Sequence, residues 1–586
     1  MKFRQNLVIA LASMAPGCAI AAFGSAWISP QPDLRLAIAL LVGSLLMFAL
    51  GWLDDLKHFR PATKLIVQIV AASVFIASGG VFPLSEFAVL NMLITYFWFL
   101  GITNAVNMLD NMDGLASGIV AIAAGTIVAL SWMIQRESGI PLLSVPIGLI
   151  LLSVVLGFWF HNKPPAQIFM GDSGSLSIGF VLAAIAAPTS LNGFLGISNS
   201  TNAFAPLLSL IIPVSVLAIP IFDTTLVTLT RKWRSQKVSQ GGRDHSSHRL
   251  VLLGFSEKQT VWTLYGLGLF GGLTAVVMLH YSNYTIPAFG VFVVAMILAG
   301  TYLGHVKIKD IDLRTPPPLW TPIVTEILFK RRAAEVILDV ILIVVAFYLS
   351  YLLRFDGSLP KETAEAISTS LPAVVACSVL SLLMAGIYRG QWRLISVQDV
   401  PAYGVGVSLA VALSFSAVAL ITQFDQGHSR SAYLIFGALL LLSLLGSRLS
   451  FRILDNFVSR RTVVNQSPES LAVLIYGAGS AGKLLFDIAL HAPAMRGMRI
   501  VGFVDDNTDV FNKRLCGLPV RSTSKWENAS NRGAHVGEIW ISSQSISDGQ
   551  ALQFAKRLSE CPTVKRFNLN LDDVKEMTES TEIVAK

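Results

Sequence analysis

The stretch NAVNMLDNMDGLASG, residues 104–118, decides how the first half of the chain is read. It lies between two apolar runs, each of which has the composition of a membrane helix. Within it Asn104, Asn107, Asp110 and Asp113 recur every three residues, so a helical backbone would place all four on one ridge. We therefore expect two carboxylates and two carboxamides on one face where a membrane helix ends.

Composition predicts a polytopic α-helical membrane protein. Of 586 residues, 53% are hydrophobic and only 14% are charged, and the mean hydropathy is +0.63. These values lie outside the range of ordinary soluble domains. Apolar runs of suitable length predict about fourteen transmembrane helices. The predicted spans are roughly 7–29, 34–53, 65–82, 88–106, 115–133, 142–160, 174–189, 205–230, 259–280, 284–304, 334–353, 371–388, 402–422 and 431–447.

The distribution of charge predicts the orientation of these spans. Residues 231–258 carry seven Lys and Arg and residues 305–332 carry six, whereas residues 191–204 carry no charge. The positive-inside rule therefore places both basic stretches in the cytoplasm. Strict alternation adds three further cytoplasmic stretches, residues 54–64, 104–114 and 161–175. The net charge of +8 is thus attributed to membrane orientation, and no nucleic-acid partner is expected.

Shifts in composition predict four segments. Residues 1–305 form a first membrane domain, and residues 306–332 form a basic cytoplasmic linker that contains RTPPP. Residues 333–460 form a four-helix membrane module. Hydropathy then falls, and residues 471–586 have the pattern of a soluble α/β domain.

Three further polar clusters share the predicted cytoplasmic face. They are Asp54, Asp55 and Lys64 in GWLDDLKHFRPATK, Asp172 in IFMGDSGSLSIG, and Arg243, His245 and His248 in GGRDHSSHRL. Any single acidic residue at a helix end could be a solvated cap. Together these carboxylates favour a functional site, because like charges repel without a cation and ionisable groups near a bilayer are costly.

The residue types in these clusters indicate the chemistry. Oxygen ligands without cysteine favour Mg²⁺ or Mn²⁺, and Mg²⁺ usually takes one or two carboxylates together with substrate phosphates. Glycines in GDSGS let the backbone approach a phosphate, and a helix N-terminus favours anions. The pattern predicts phosphoryl transfer between a soluble diphosphate and a lipid phosphate at the inner membrane surface.

In their order and spacing, DDL…K, NAVNMLDNMDGLASG, FMGDSGSLSIG and RDHSSHRL resemble the polyprenyl-phosphate N-acetylhexosamine-1-phosphate transferases over about residues 30–260. The resemblance implies a multi-pass enzyme of the bacterial inner membrane with a cytoplasmic active site. Its implied substrates are a UDP-N-acetylhexosamine and polyprenyl (undecaprenyl) phosphate, with Mg²⁺ as cofactor, UMP as product and lipid-linked glycan synthesis as the pathway initiated. The HSSH motif favours an N-acetylhexosamine over a muramoyl peptide.

The same resemblance implies roles for the matching residues. Asp54, Asp55 and Asp172 would be catalytic, and Asp172, the principal metal ligand, would bind Mg²⁺ with Asp110 and Asp113. Asn104, Asn107, Asp110 and Asp113 would form the nucleotide site, and His245 and His248 would contact the diphosphate. The full set of expected substrate-binding residues is Lys64, Asn104, Asn107, Asp110, Asp113, Arg243, His245 and His248.

The start of the chain departs from the family. Members carry another span before the one predicted at residues 7–29, followed by a basic loop with Pro and paired Gly. This chain begins at MKFRQNLVIA. We expect either a start further upstream or a protein that is short of one helix and part of its substrate site.

The second half resembles the N-terminal part of membrane-bound nucleotide-sugar dehydratases and epimerases of polysaccharide biosynthesis, through YLLRFDG, GIYRGQWRLISVQD, LIYGAGSAG and VGFVDD. LAVLIY predicts a strand and KLLFDIALH a helix. The residues between and after them that would bind a nucleotide are Gly477, Gly479 and Gly482 in a GxGxxG pattern, and Asp505 and Asp506 after a second strand. We expect a cytoplasmic Rossmann-like domain that binds NAD(P) or another nucleotide. Dehydratase chemistry is not expected, because no tyrosine follows Tyr476 to form the Tyr-x-x-x-Lys pair.

Alternative functions stay open. The main alternative is a nucleotide-sugar-modifying or sensing membrane protein without transferase activity, in which the C-terminal domain is a sensor or tether. A transporter is disfavoured, because the carboxylates lie at helix ends and not near the bilayer midplane. Open as well are the hexosamine, the polyprenol, assembly into a homo-oligomer, and direct transfer versus an aspartyl intermediate.

Overall fold

The computed structural model describes most of the chain. The described residues are 34–57, 59–82, 87–187, 210–233, 242, 244–304, 323–389, 399–422, 427–464, 471–491, 498–507, 511, 513–530, 535–542, 546–558 and 561–567. The chain divides into two compact units, Met1–Arg452 and Ile453–Lys586.

The described part of the first unit is built from α-helices joined by loops and short 3₁₀ turns. The helices are α1 Leu34–Lys57, α2 Pro61–Ala77, α3 Ala88–Leu109, α4 Leu115–Ser138, α5 Ser144–Asn162, α6 Gly171–Ala186, α7 Ile211–Val216, α8 Ala218–Trp233, α9 Ser246–Leu252, α10 Glu257–His280, α11 Thr285–Gly304, α12 Ile323–Arg354, α13 Lys361–Met384, α14 Val400–Thr422 and α15 Arg430–Val464.

Ten of the described helices have the length and apolar composition to cross a membrane. The protein is therefore a multi-pass membrane protein, although the predicted number of about fourteen spans is not confirmed. Two further predicted spans correspond to α2 and α6, which have 17 and 16 residues and are short for a hydrocarbon core of about 30 Å. The span predicted at residues 7–29 lies outside the described residues.

The span predicted at residues 205–230 is not one continuous helix, which corrects the sequence-based prediction. The described part is broken at Leu217, between α7 and α8. Pro220 lies in the first turn of α8 and has no backbone N–H, so it cannot donate to the carbonyl of Val216. After the break, α8 packs against α3.

Helix α6 lies between α1 and α3, and this packing sets the position of its first turn. On one side Gly51 of α1 abuts the backbone of Asp172 so closely that any Cβ at residue 51 would overlap it. On the other side the indole Nε1 of Trp98 donates to the carbonyl of Ala183 over 3.1 Å. These contacts hold α6 against α1 at its first turn and against α3 near its last turn.

Asn162, at the end of α5, ties two loops to each other. Its Oδ1 accepts hydrogen bonds from the Gly114 amide, over 3.1 Å, and from the Ser117 hydroxyl, over 2.8 Å. Its Nδ2 donates to the carbonyl of Ile168 over 2.9 Å. The loop that precedes α6 is thereby held beside the loop that follows α3, so two predicted motifs become neighbours.

A buried ion pair lies in the second group of membrane helices. Arg448 of α15 donates from Nη1 and Nη2 to Oδ1 and Oδ2 of Asp339 in α12, over 2.6 and 2.7 Å. Neither side chain is exposed to solvent. Because an unpaired charge in a membrane interior is expensive, this pair fixes the register of α15 against α12.

The second unit contains an open sheet of six strands with helices on both faces. Its elements are β1 Leu471–Tyr476, α16 Ser480–His491, β2 Met498–Val504, β3 Arg514–Leu515, β4 Leu518–Arg521, α17 Thr523–Ser530, β5 Glu538–Ile541, α18 Asp548–Arg557 and β6 Thr563–Arg566. The strand order is β3-β4-β2-β1-β5-β6, and all neighbours are parallel except β3 and β4.

Strand β1 is buried on both faces, which accounts for its unbroken apolar sequence. Val473 and Ile475 pack in the core that includes α16, whereas Leu474 and Tyr476 pack in the opposite core with α18. A strand covered by helices on both sides requires apolar residues at every position. The sequence thus predicts correctly the strand, the glycine loop after it and the helix that follows.

We predict that Asp339→Ala destabilises the protein by about 3–5 kcal/mol, because it leaves the Arg448 guanidinium buried without a counter-charge. Replacing both partners, with Asp339→Leu and Arg448→Met, should be much less damaging. The measurement is unfolding of the purified protein in detergent, with the exposed Asp356→Asn as control. Equal losses in the single and double variants would contradict this account of the pair.

Candidate active site

One ammonium group joins two of the predicted catalytic carboxylates. Lys64 Nζ lies 2.6 Å from Asp54 Oδ2 and 2.8 Å from Asp172 Oδ2. Asp54 is near the end of α1 and Lys64 is in the first turn of α2, so the tight connection between these helices brings them together. The other oxygen of Asp54 accepts from the amide of Phe59 over 2.7 Å, which holds that connection in place.

Asp172 is also bound by α3 and by the neighbouring acid of α1. Asn107 Nδ2 donates to Asp172 Oδ1 and to the hydroxyl of Ser175, each over 2.9 Å. The amide of Asp172 donates to Asp55 Oδ1 over 3.3 Å. The structure therefore brings residues from α1, α2, α3 and α6 to one place, as the clustering of motifs predicts.

Asp110 borders this cluster, and its surroundings disfavour its charged form. Burial, together with the negative charges of Asp172 and Asp113, raises the pKa of Asp110 from its ordinary value of 3.8 to about 6, although the Gly171 amide acts in the opposite direction. Asp113 binds elsewhere, since its Oδ2 accepts from the amide of Ala166 over 2.9 Å. It anchors the loop before α6.

The predicted ridge of four polar residues is wrong beyond Leu109. Helix α3 ends there, and Asp110 leaves the helical region with φ −77° and ψ 55°. At the other end, Asn104 exchanges two hydrogen bonds with Gln68 of α2, over 2.9 and 3.2 Å. Only Asn107 of the four donates to Asp172. A three-residue spacing places side chains on one ridge only in a helix, and the predicted ridge is helical only as far as Leu109.

The histidine motif is organised by a buried acid to which the sequence analysis assigns no role. Asp223 of α8 has no exposed surface. Its Oδ2 lies 2.7 Å from His245 Nδ1, and its Oδ1 accepts from the amide and hydroxyl of Ser246 over 2.7 and 2.6 Å. The available signal was a single aspartate within an apolar helix, which is costly without a partner.

A serine connects the histidine motif to the segment after α3, next to the carboxylate cluster. Ser247 Oγ donates to Asn111 Oδ1 over 2.6 Å, which links α9 to the segment after α3. The rings of His245 and His248 are 6.3 Å apart between centroids. Arg243, the remaining predicted residue of this motif, lies outside the described residues.

Two arginines near the histidines support the backbone. Arg231 makes two hydrogen bonds to Asp244, from Nε over 2.8 Å and from Nη2 over 2.6 Å. Burial alone would raise the pKa of Asp244, but the Arg231 guanidinium holds it below its usual value. Arg249 is fully buried and donates to the carbonyls of Asp244 and Leu303. Both arginines therefore shape the loop that presents His245.

The carboxylate cluster has the donor chemistry of a Mg²⁺ site but not a preformed cage. Across the described ranges, no group of three or more His, Cys, Asp or Glu side chains is arranged to hold a metal ion by itself. Asp110, with its raised pKa, and Asp172 present oxygen ligands beside each other. This fits Mg²⁺, which is commonly held by one or two carboxylates together with phosphate oxygens of the substrate.

Comparison with known proteins identifies the family of the chain that carries this site. The glycosyl transferase family 4 model matches residues 37–189, which contain Asp54, Lys64, Asn107 and Asp172. A phospho-N-acetylmuramoyl-pentapeptide-transferase of Bacillus pumilus (strain SAFR-032) is 31% identical over 265 residues, which cover 41% of this chain and 72% of that protein. The chain belongs to glycosyl transferase family 4. The family predicted from the motifs is thus confirmed.

Two other relatives of this glycosyl transferase family 4 chain carry N-acetylglucosamine in their names. A probable undecaprenyl-phosphate N-acetylglucosaminyl 1-phosphate transferase of Bacillus subtilis (strain 168) is 32% identical over 249 residues, 41% of this chain and 65% of that protein. A decaprenyl-phosphate N-acetylglucosaminephosphotransferase of Mycolicibacterium smegmatis is 33% identical over 259 residues, 41% of this chain and 63% of that protein. The chain thus spans slightly less than two thirds of the length of these relatives.

We predict that Lys64→Met lowers stability by about 1–3 kcal/mol in the absence of divalent ions, because Asp54 and Asp172 lose their shared counter-charge. Added Mg²⁺ should raise the stability of Lys64→Met by more than it raises the stability of the unmodified protein. Thermal unfolding in detergent with and without Mg²⁺ measures both effects. Lys57→Met, at the exposed end of α1, is the control. A Lys64→Met protein as stable as the control without Mg²⁺ would contradict the bridging role.

A second prediction concerns pH. The folded state raises the pKa of Asp110 from 3.8 to about 6, so the charged form is disfavoured in the folded protein and stability falls as pH rises through this window. Asp110→Asn, which resembles the protonated acid, should therefore stabilise the metal-free protein at pH 7.5, by at most roughly 3 kcal/mol. The gain should vanish near pH 4. A gain that is the same at both pH values would exclude titration of Asp110 as its source.

Proposed function

We propose that the protein transfers N-acetylhexosamine 1-phosphate from a UDP-sugar to polyprenyl phosphate at the cytoplasmic face of the inner membrane, and so initiates a lipid-linked glycan. An oxygen of the lipid phosphate attacks the β-phosphorus, the bond from this phosphorus to the UMP oxygen breaks, and UMP leaves. The observation that carries the proposal is the convergence of Asp54, Asp55, Lys64, Asn107 and Asp172 at the ends of four helices.

The names of the relatives support N-acetylglucosamine as the transferred sugar. Two of them are named for the transfer of N-acetylglucosamine phosphate to undecaprenyl or decaprenyl phosphate. The HSSH sequence at residues 245–248 is consistent with such a substrate. We therefore propose UDP-N-acetylglucosamine as donor and undecaprenyl or decaprenyl phosphate as acceptor.

Some residues of this chain would bind the metal ion and the phosphates, and others would orient those binding residues. Asp110 and Asp172 would hold Mg²⁺ together with the diphosphate, and the ion would offset the negative charge of the phosphates. Lys64 and Asn107 hold the Asp172 carboxylate in one orientation. His245 Nδ1 faces Asp223 over 2.7 Å, so Nε2 is the ring nitrogen left for the substrate, and it donates to a phosphate oxygen when the ring is protonated at both nitrogens.

Asp54 and Asp55 occupy different environments, which suggests different tasks. Asp54 is buried, whereas Asp55 is exposed at the same helix end. We assign to Asp55 the contact with the incoming lipid phosphate, because an exposed group can reach a substrate that diffuses in the membrane. Asp54, bound to Lys64 and to the Phe59 amide, positions Lys64.

The orientation, the full number of spans and the class of the C-terminal domain belong to the same proposal. The basic stretches at residues 231–258 and 305–332 support a cytoplasmic site by the positive-inside rule. The apolar composition of α2 and α6 supports two spans beyond the ten, out of the fourteen or so that we propose. Parallel strands whose order reverses beside β1, with a glycine loop after β1, support a Rossmann-like domain.

We predict that Asp172→Asn lowers transfer by at least about 10²–10³-fold, because a charge that binds the metal and Lys64 is lost while the shape is kept. The assay supplies membranes with UDP-N-acetylglucosamine, undecaprenyl phosphate and Mg²⁺, and measures UMP together with lipid-linked sugar. Asp356→Asn, an exposed acid in the loop after α12, is the matched control. Near-normal UMP release by Asp172→Asn would overturn the assignment.

If the unmodified protein forms neither UMP nor lipid-linked sugar, the alternative function, a nucleotide-sugar-modifying or sensing membrane protein, explains the chain better. In that case the first unit would be a membrane domain without transferase activity, and the protein would sense or modify a nucleotide sugar through its second unit. Unmodified protein that forms both products excludes this alternative as the main activity.

A further inference from the structure

A cleft lies at the carboxyl edge of the sheet in the second unit. Its volume is about 400 Å³, and its floor is the loop between β1 and α16. Strand β1 has β2 on one side and β5 on the other, so the order of strands reverses at this position. In open α/β sheets, ligands bind where the order reverses, outside the carboxyl ends of the strands. The inference below rests on the Rossmann-like fold proposed above.

The loop has three glycines with three different surroundings. Gly477 adopts φ +106°, which residues with a side chain rarely reach. A Cβ at Gly482 would overlap the carbonyl oxygen of Gly477, so the helix lies directly on the strand end. At Gly479 a Cβ would meet no atom within 4 Å, and this residue is exposed. The loop is therefore closed on the protein side and open above Gly479.

Helix α16 presents amide groups to this open space. It begins at Ser480 and has 12 residues, and the amide of Lys483 donates to the carbonyl of Gly479 over 3.0 Å. Amides in the first turn of an α-helix lack partners within the helix, and the helix dipole adds partial positive charge there. This arrangement suits a diphosphate, which carries several acceptor oxygens and a negative charge.

Two carboxylates also line the cleft, beside the glycine loop. Asp505 accepts the amides of Ala478 and Asn507, over 2.6 and 2.9 Å, one at each oxygen. Asp506 is exposed, and its Oδ2 accepts from the Tyr476 hydroxyl over 2.7 Å. Each carboxylate oxygen has a further lone pair, so both acids can still accept from a sugar hydroxyl. A phosphate in the same place would face two negative charges.

We propose that this cleft binds a nucleoside diphosphate whose ribose carries free hydroxyls, and that it discriminates against a ribose 2′-phosphate. The volume lies toward the lower end of ligand pockets, which favours one nucleoside diphosphate moiety. The moiety can be the ADP part of NAD⁺ or the UDP part of a nucleotide sugar, since the loop and both acids recognise what these have in common.

The cleft is built for binding without a reaction. The titratable side chains that line it among the described residues are Tyr476, Asp505 and Asp506, and hydrogen bonds within the domain engage all three. Burial and the neighbouring Asp506 raise the pKa of Tyr476 above its usual range, so its hydroxyl keeps its proton at neutral pH. A nucleotide bound here would act as a signal to the protein or as a structural ligand.

The test is calorimetric titration of the full-length protein in detergent with NAD⁺, NADP⁺ and UDP-N-acetylglucosamine, each added alone. Because UDP-N-acetylglucosamine is also the proposed donor of the transferase site, only the part of its binding that Gly479→Glu removes is assigned to the cleft. We expect NAD⁺ or UDP-N-acetylglucosamine to bind, and NADP⁺ to bind at least tenfold more weakly than NAD⁺. Gly479→Glu should weaken binding to the cleft at least tenfold, because its carboxylate takes the place of the diphosphate. Gly479→Ala is the matched control, since a Cβ fits there without contact.

Transfer activity and a second variant separate the possible outcomes. Gly479→Glu should keep normal release of UMP, which separates failure of this inference from failure of the proposed transferase. Its thermal unfolding should match that of Gly479→Ala, which shows that the second unit is folded. Ser480→Glu places a carboxylate at the exposed start of α16 and should act in the same way if Gly479→Glu does not fold. Both variants leaving the binding of NAD⁺ and of UDP-N-acetylglucosamine unchanged, equal affinity for NAD⁺ and NADP⁺, or binding of none of the three ligands would overturn the inference.

Discussion

The ammonium group of Lys64, shared between Asp54 and Asp172, is the interaction on which the carboxylate cluster of the first unit depends. Without a cation, carboxylates from α1 and α6 would repel each other at the edge of a low-dielectric bundle. With it, the ends of α1, α2 and α6 converge, and Asn107 adds α3 through a hydrogen bond to the same carboxylate. The ion pairs thus let these carboxylates gather in one cluster, and burial together with the negative charges of Asp172 and Asp113 keeps the pKa of Asp110 raised.

The supporting residues separate into those that hold the loop before α9 and those that hold the histidine motif itself. Arg231 and Arg249 shape the segment before α9. Asp223 holds the ring of His245, and Ser247 ties the same segment to Asn111. The phosphate contact that we propose for His245 would need such a scaffold, because catalysis of phosphoryl transfer rests on positioning and electrostatics more than on covalent chemistry.

Each unit uses buried polar groups for a different purpose. In the membrane module, Asp339 and Arg448 neutralise each other and leave no net charge in an apolar interior. In the second unit, Asp505 holds the glycine loop and also lines the cleft, so one carboxylate combines support with a recognition role. The difference follows from solvent: a charge at an aqueous edge can keep a lone pair for a ligand, whereas a charge in a bilayer must be fully paired.

The sequence by itself determined the features that arise from local pattern. Apolar run length indicated the membrane helices, and LAVLIY with its glycine loop indicated a strand, turn and helix, which the structure contains. Only the tertiary structure decided the partners of individual side chains: Asn104 pairs with Gln68, Asp113 binds a loop amide, and Asp223 holds His245. It also decided where helices stop, at Leu109 and at Leu217. The physical reason is that hydropathy and turn chemistry act over a few residues, whereas a polar side chain is satisfied by whichever donor the packing of distant helices brings within 3 Å.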